Sequence, residues 1–283
     1  MDIGIASLLA WKGVIVGAWF LAFFLAERLR PAAAPLAQRE REPRGGTPRL
    51  GRNAGLWLLN TGLSPLLVVP ITAWAASQSL DWRPSVWSGW GGLLLDLLLL
   101  DLLIYWWHRA NHEIAFLWRF HEVHHRDRFL DVTSAVRFHF GEVILSALAR
   151  GAVIWLLGFP LHSVLVFEAV LLLASIFHHS NLRLPRGLER SLSEVIITPE
   201  RHWVHHHAIR QDTDSNYGTV FVIWDRLFRS LNPNPRRLDM VIGVEGRGEQ
   251  TLLALLLQPF RRNSDVNSSD RNRAPGSPAD SAH

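Results

Sequence analysis

The chain has 283 residues, 48% of them hydrophobic, with a formal net charge of +4, 14 histidines, 13 tryptophans and no cysteine. Without cysteine, disulfides, thiolate zinc sites and cysteine-held iron–sulfur clusters are excluded. A charge of +4 is too small to indicate nucleic acid, and basic loops beside nearly uncharged apolar runs point to a membrane surface instead.

A bilayer core takes roughly 20 apolar residues as a helix. Ile3 to Ala26 is the first such run, and Lys12 near its start is expected to snorkel to the interface. A cleavable signal peptide is the rival reading, disfavoured because the run is long, lacks a basic start and ends in Glu27-Arg28 rather than in small residues. Ala54 to Ala76 is the second run and contains Pro65 and Pro70, which membrane helices tolerate when neighbours satisfy the freed backbone groups. Trp87 to Trp107 is the third, with tryptophan at both ends as an interfacial belt would have. Asp96 and Asp101 interrupt it and are expected to face a protein interior or a polar cavity.

Val143 to Phe177 is apolar but broken at Gly158-Phe159-Pro160, and it carries Arg150. It reads as a helical hairpin, either crossing twice or re-entrant. Arg183 to Arg247 is mostly polar and reads as a cap. Thr251 to Phe260 suits a short amphipathic helix lying on the membrane, and the Ser-, Asn-, Asp-, Arg- and Pro-rich tail from Arg261 is expected to be disordered.

Loop charge sets the orientation. Glu27 to Arg52 holds seven arginines, whereas Ser77 to Pro84 has only Arg83, beside Asp81. By the positive-inside rule the first loop is cytoplasmic. The third span then delivers His108 to the cytoplasmic side, and a hairpin starting near Glu142 returns His178 and His179 to it.

Thirteen of the 14 histidines lie between His108 and His207. His108-Arg-Ala-Asn-His112 spaces two imidazoles four apart. His121-Glu-Val-His124-His125 and His202-Trp-Val-His205-His206 each place three at offsets of zero, three and four. On a helix these offsets share one face, so each cluster is expected to aim its nitrogens at one point. A single histidine at an interface is ordinarily just a polar surface residue, but three spaced clusters on one side of a membrane read as ligands. Eight imidazoles exceed what one ion takes and ask for two. Imidazole suits Fe, Zn, Cu and Ni alike, so ligand type leaves the metal open.

The run 121–125 also matches H-E-x-x-H, in which His121 and His125 would hold zinc and Glu122 would be the general base of an intramembrane metalloprotease. That alternative gives no reason for the second triplet or for the pair at His108. A non-catalytic metal- or lipid-binding membrane protein is the remaining alternative, distinguished by its lack of redox turnover.

The three motifs, in this order and between hydrophobic spans, resemble those of the fatty acid hydroxylase / sterol desaturase superfamily. The flanks agree: Tyr105-Trp-Trp-His108, Leu117-Trp-Arg-Phe-His121, Arg137-Phe-His139-Phe-Gly-Glu142 (Phe140 where the family has Pro), Phe177-His-His179-Ser-Asn181, Asp214-Ser-Asn-Tyr-Gly218 and Trp224-Asp-Arg-Leu-Phe228. The similarity runs from about Asp101 to Ser230. It implies two Fe ions, O2 as co-substrate, and hydroxylation or desaturation of a lipid: fatty acyl, sterol-like, carotenoid-like or ether lipid. Carried over residue by residue, it implies His108, His112, His121, His124, His125, His202, His205 and His206 as ligands, with His179 as a ninth. His139, Glu142, Asn181 and Asp225 are the candidates for orienting the ligands from behind, and Asp101, Asp214 and Asn216 are further ones. The rival reading is turn chemistry for Asn216-Tyr217-Gly218 and a salt bridge of Asp225 with Arg226 or Arg229. His139 is also open to ligation, and His178 and His207, which extend their clusters by one each, are open to ligation as well as to packing or orientation; His162 and His283 are expected to have no part.

With no Cys-based cluster and no G-x-G-x-x-G fingerprint, electrons are expected from an external donor, a separate reductase or small electron carrier. The expected fold is all-α: an integral-membrane bundle of about four to five helices with a cytoplasmic helical cap carrying the histidine clusters, in the inner membrane if the source is bacterial. The expected organisation is N-terminal spans and basic loop over 1–100, a catalytic domain over 101–230 that includes the membrane hairpin at 143–177, a cap with its amphipathic helix over 231–260, and the tail over 261–283.

Overall fold

A computed structural model of the chain describes residues 5–33, 46–80 and 82–261. The middle of the basic loop, and the tail from 262 with His283, lie outside the described residues. The order is α1 (Ile5–Leu29), α2 (Thr47–Leu63), α3 (Val68–Ser77), α4 (Gly89–Glu113), α5 (Ala115–His125), a 3-10 turn at Val132–Val136, α6 (Phe140–Leu157), α7 (Leu161–His179), α8 (Arg186–Leu192), α9 (Pro199–His205), α10 (Arg210–Thr213), α11 (Ile223–Leu227) and α12 (Leu252–Leu257). Among the described residues β structure is limited to two isolated bridges, Ile196–Phe221 and His207–Ile242.

Helices α1, α4, α6 and α7 are long and apolar enough to cross a membrane, and α2 with α3, bent by 42° at the break, is a fifth such segment, a broken span or a re-entrant loop. The chain is a multi-pass membrane protein by this criterion. The second expected span is thus two helices: Pro65 lacks the N–H that would continue α2, and the chain turns through 64–67 before α3 begins. The hairpin at 143–177 resolves into helices of 18 and 19 residues, about 27 and about 28 Å long, close to the roughly 30 Å of a hydrocarbon core. Gly158 ends α6 in the left-handed conformation (φ +66°), and a Cβ there would sit 2.9 Å from the Leu80 carbonyl oxygen. The faces of α1 carrying Leu9, Trp11, Val14, Ile15 and Leu21 are exposed, as lipid-facing surface is.

Two buried clusters hold the spans together. Ala75, Leu100, Ile104, Ile154, Phe159, Val164 and Phe167 join α3, α4, α6 and α7, and Phe20, Phe23 and Phe24 of α1 pack on Val132, Ala135 and Ile176. Charges within the spans are paired. Lys12 does not snorkel; it ion-pairs with Glu168 of α7, and Arg150 of α6 approaches the same carboxylate at 4.0 Å. Asp96 receives Arg83 (2.8 Å) and Ser163 (2.6 Å) at the opposite end from the histidines. The C-terminal helix is shorter than expected, six residues followed by a 3-10 turn at Gln258–Phe260, with Leu255 buried against Leu56 and Val123 and with Leu253 and Leu257 exposed.

Candidate metal centre

The C-terminal ends of α4 and α7, with α5 and α9 between them, bring nine histidines together, all buried. They form two groups whose candidate ligand atoms lie within 4.8 Å of one another: His108, His112, His121, His125 and His205, and His124, His179, His202 and His206. These are the nine positions that the resemblance implies. The groups adjoin, since the His125 and His206 rings stack at 4.4 Å.

The triplets do not each converge on one point, as the spacing alone suggested. His121 and His125 face the five-membered group and His124 the other; His202 and His206 face the four-membered group and His205 the first. Offsets of three and four fall about 100° apart around a helix axis, on either side of the first residue. A helix wedged between two centres therefore shares its histidines between them.

The back of most rings is tied to the protein. Nδ1–H of His108 donates to the Tyr217 carbonyl (2.8 Å), His205 to Ser215 (2.6 Å), His124 to Arg137 (3.2 Å) and His179 to Ser175 (2.8 Å). A carbonyl only accepts, so these contacts place the proton on Nδ1 and leave Nε2 as a bare lone pair. His121 Nδ1 meets Glu142 Oε1 at 2.8 Å and His112 Nδ1 meets Asp214 Oδ1 at 3.3 Å. In the first group the Nε2 atoms of His108, His112, His121, His125 and His205 are buried without a hydrogen-bond partner. In the second, Nε2 of His179 lies 3.2 Å from that of His124 and 3.0 Å from that of His202, which lies 3.1 Å from that of His206. The His124 and His179 lone pairs face each other with no proton of their own to share, an arrangement that a cation stabilises. Burial first, then neighbouring imidazoles, holds His124, His125, His202, His205 and His206 well below the usual imidazole range, so they stand neutral, the form that ligates metal. The residues present thus fit a pair of metal ions.

The supporting residues divide. Glu142 also receives Asn111 Nδ2 at 3.4 Å. Asp225 accepts the N–H groups of Tyr217 and Gly218 (2.8 and 2.9 Å) and the Ser230 hydroxyl, not an arginine, and so fixes the loop whose carbonyl holds His108. A Cβ on Gly218 would come within 2.7 Å of Asp225 Oδ2. Asp101 accepts from Val220, Phe221 and Trp224 Nε1, binding the same loop to α4. Asn216, with φ +52°, bonds Arg201 and Asn232.

His139 sits apart from the ligands. Its Nδ1 caps α6 by accepting from Gly141 N, and its Nε2 meets the Leu256 carbonyl at 3.0 Å. The Asn181 side chain ties Ala33, beyond α1, to the end of α7, accepting from the Ala33 N–H and donating to its carbonyl. His178 packs on His202 with ring centroids 4.0 Å apart and bonds Thr219, and His207 bonds Asp212. His162 lies at the far end of α7.

Glu122 of H-E-x-x-H points away from both groups to Arg126 (3.3 Å) and Arg247 (3.5 Å), which is not the place of a general base on metal-bound water. Two rings that lie within the quoted motifs, but had no expected role at the site, pack against the ligand rings. Tyr217 lies 5.2–6.1 Å from His108, His112 and His205, and Trp118 lies 5.0 Å from His112. The three-residue step from Trp118 to His121 was the available signal.

The family model for fatty acid hydroxylase matches residues 93–230. Among curated proteins the chain is 32% identical to an ornithine lipid hydroxylase, OlsE, of Rhizobium tropici over 70% of this chain and 59% of that one. It is 31% identical to an alkylglycerol monooxygenase of Danio rerio over 53% of this chain and 31% of that one, and 30% identical to lathosterol oxidase of Mus musculus over 50% and 46%. The chain thus spans about three-fifths or less of the length of these relatives. No solved structure matches it. Residues 93–230, which carry all nine clustered histidines (seven on α4, α5 and α9, His206 just past the end of α9 and His179 on α7), belong to the fatty acid hydroxylase family.

Proposed function

We propose that the protein is a membrane-bound di-iron oxidoreductase that uses O2 to hydroxylate or desaturate a lipid, with residues 101–230 as its catalytic unit. The observation that carries this reading is the pair of adjoining histidine groups, one with unpartnered Nε2 atoms and one whose Nε2 atoms face one another at 3.0–3.2 Å, at one end of a bundle of apolar helices. His108, His112, His121, His125 and His205 would hold one ion and His124, His179, His202 and His206 the other. Two iron ions held there would supply the electrons that reduce O2 and the oxidising power for C–H oxidation.

The protein's own part is orientation and exclusion. Carbonyls and Glu142 fix imidazole tautomers, and burial keeps His124, His125, His202, His205 and His206 neutral. The nearest histidine on α4 lies 19 residues, about 28 Å, from that helix's far end, which puts the site at the bilayer boundary, where a lipid reaches it sideways from the membrane. The arginine-rich loop between α1 and α2 supports a cytoplasmic catalytic face. The absence of cysteine supports electrons arriving from a donor outside these residues.

Growth of cells with and without the protein under 18O2, followed by mass spectrometry of extracted lipids, tests the reading. A lipid gaining labelled oxygen, or losing two hydrogens, only when the protein is present is the expected result. Identical lipid profiles overturn it.

A further inference from the structure

Trp118 occupies the ground between the five-histidine group and water. It stands three residues before His121 and seven before His125 on α5, so its ring shares their face. Its centroid lies 5.0 Å from the His112 ring, 5.4 Å from His125 and 6.2 Å from His121. The Arg210 guanidinium lies 4.4 Å from the indole centroid, and its side chain is 50% exposed. Arg210 is held in place by the His112 carbonyl (2.7 Å) and Asp214 (2.6 Å). A chain of contacts therefore runs from the exposed guanidinium through the indole to the ligand rings.

The other rings around the site are placed differently. Tyr217 touches three rings of the same group but is 2% exposed. Phe138 stacks on His124 at 4.6 Å and lies beside Asn60 of the span α2. Trp118 alone of these three joins a half-buried ring to an exposed polar side chain at the membrane-distal end of α4.

We propose that Trp118 is the residue through which electrons reach the metal pair from an external one-electron carrier protein that docks over Arg210. This rests on the di-iron reading above. Each transfer oxidises the carrier by one electron and reduces one ferric ion to ferrous. Two transfers reload the pair, and no bond is made or broken at Trp118. The indole's extended π system couples two ligand rings to a donor at the surface, which an aliphatic side chain of like volume does not.

The test uses the full chain loaded with ferric iron in detergent, reduced by the methyl viologen radical in a stopped-flow instrument, with iron content measured on every sample. Trp118→Leu is expected to slow reduction about tenfold, a barrier change of about 1.4 kcal/mol, at unchanged iron content, and Trp118→Tyr to restore part of the rate. Full iron with a wild-type reduction rate in Trp118→Leu overturns the proposal. If that variant loses iron, Trp118→Tyr decides: slower reduction than wild type supports the proposal and an equal rate overturns it. A wild-type chain that takes up no iron overturns the di-iron reading itself, a separable result.

Discussion

Replacing Arg49 with methionine keeps an unbranched apolar stem and deletes the guanidinium that joins α2 to the metal-centre loop. Arg49 is fully buried, and its Nε and Nη atoms reach Asp127, Asp131, the Phe129 carbonyl and Ser134 at 2.6–3.1 Å. Asp127 follows His125 by two residues, and the carbonyl of Arg137, at the end of the same loop, receives His124. Burial alone would push the Asp127 carboxyl up, but Arg49 and Arg137 hold it at about 2. Held there rather than at 3.8, it stabilises the folded state by about 2 kcal/mol at neutral pH. Removing one partner of a buried ion pair costs roughly 3–5 kcal/mol in all. At roughly 2–4 °C per kcal/mol, Arg49→Met should lower Tm by roughly 6–20 °C. Thermal unfolding in detergent reads this, and Arg49→Lys, charged but without the fork, should fall between the two. The sign with pH is fixed. The folded pKa lies below the unfolded one, so Asp127's contribution is complete above 3.8 and lost as pH falls through 2; the deficit of the variant holds through neutral pH and shrinks only in acid. A variant melting within about 2 °C of wild type at neutral pH refutes the argument.

Three further outcomes follow from the same contacts. Glu142→Ala frees the His121 ring and should weaken metal binding roughly 10–100-fold in chelator competition, with Glu142→Gln retaining more of it. Glu168→Leu strands Lys12 and Arg150 among the spans and should cost roughly 3–5 kcal/mol, part of which the double variant with Lys12→Met recovers in thermal unfolding. Chelation of bound metal should lower Tm and re-addition restore it, because the metal-free Nε2 atoms face one another without protons.

The spans were legible because runs of about 20 apolar residues have few alternatives, and the nine clustered histidines because motif and resemblance marked them. The division of each HxxHH triplet was not legible: it depends on α5 and α9 being wedged between two centres, and spacing within one helix says nothing of what flanks it. Loop charge was a blunter guide than it looked. Arg49 counted among the seven basic residues of the first loop, yet it is a buried ion-pair partner. His139 looked like a ligand's neighbour from its motif, but one ring caps α6 and reaches Leu256 only once the C-terminal segment has folded back. The Trp224, Asp225 and Phe228 element becomes intelligible in three dimensions: Trp224 bonds Asp101, Asp225 holds the loop at 217–218, and Phe228 packs on Tyr105 and Trp106. Lys12 found Glu168 across 156 residues, a pairing that no local pattern announces.

The most direct test of the account is the metal content of the detergent-purified full chain, wild type beside His205→Ala and His202→Ala. Each substitution removes one ligand from a different group. About two Fe per chain in the wild type, with loss in each variant, is the predicted result; one Zn without Fe, or iron unchanged in both variants, contradicts it.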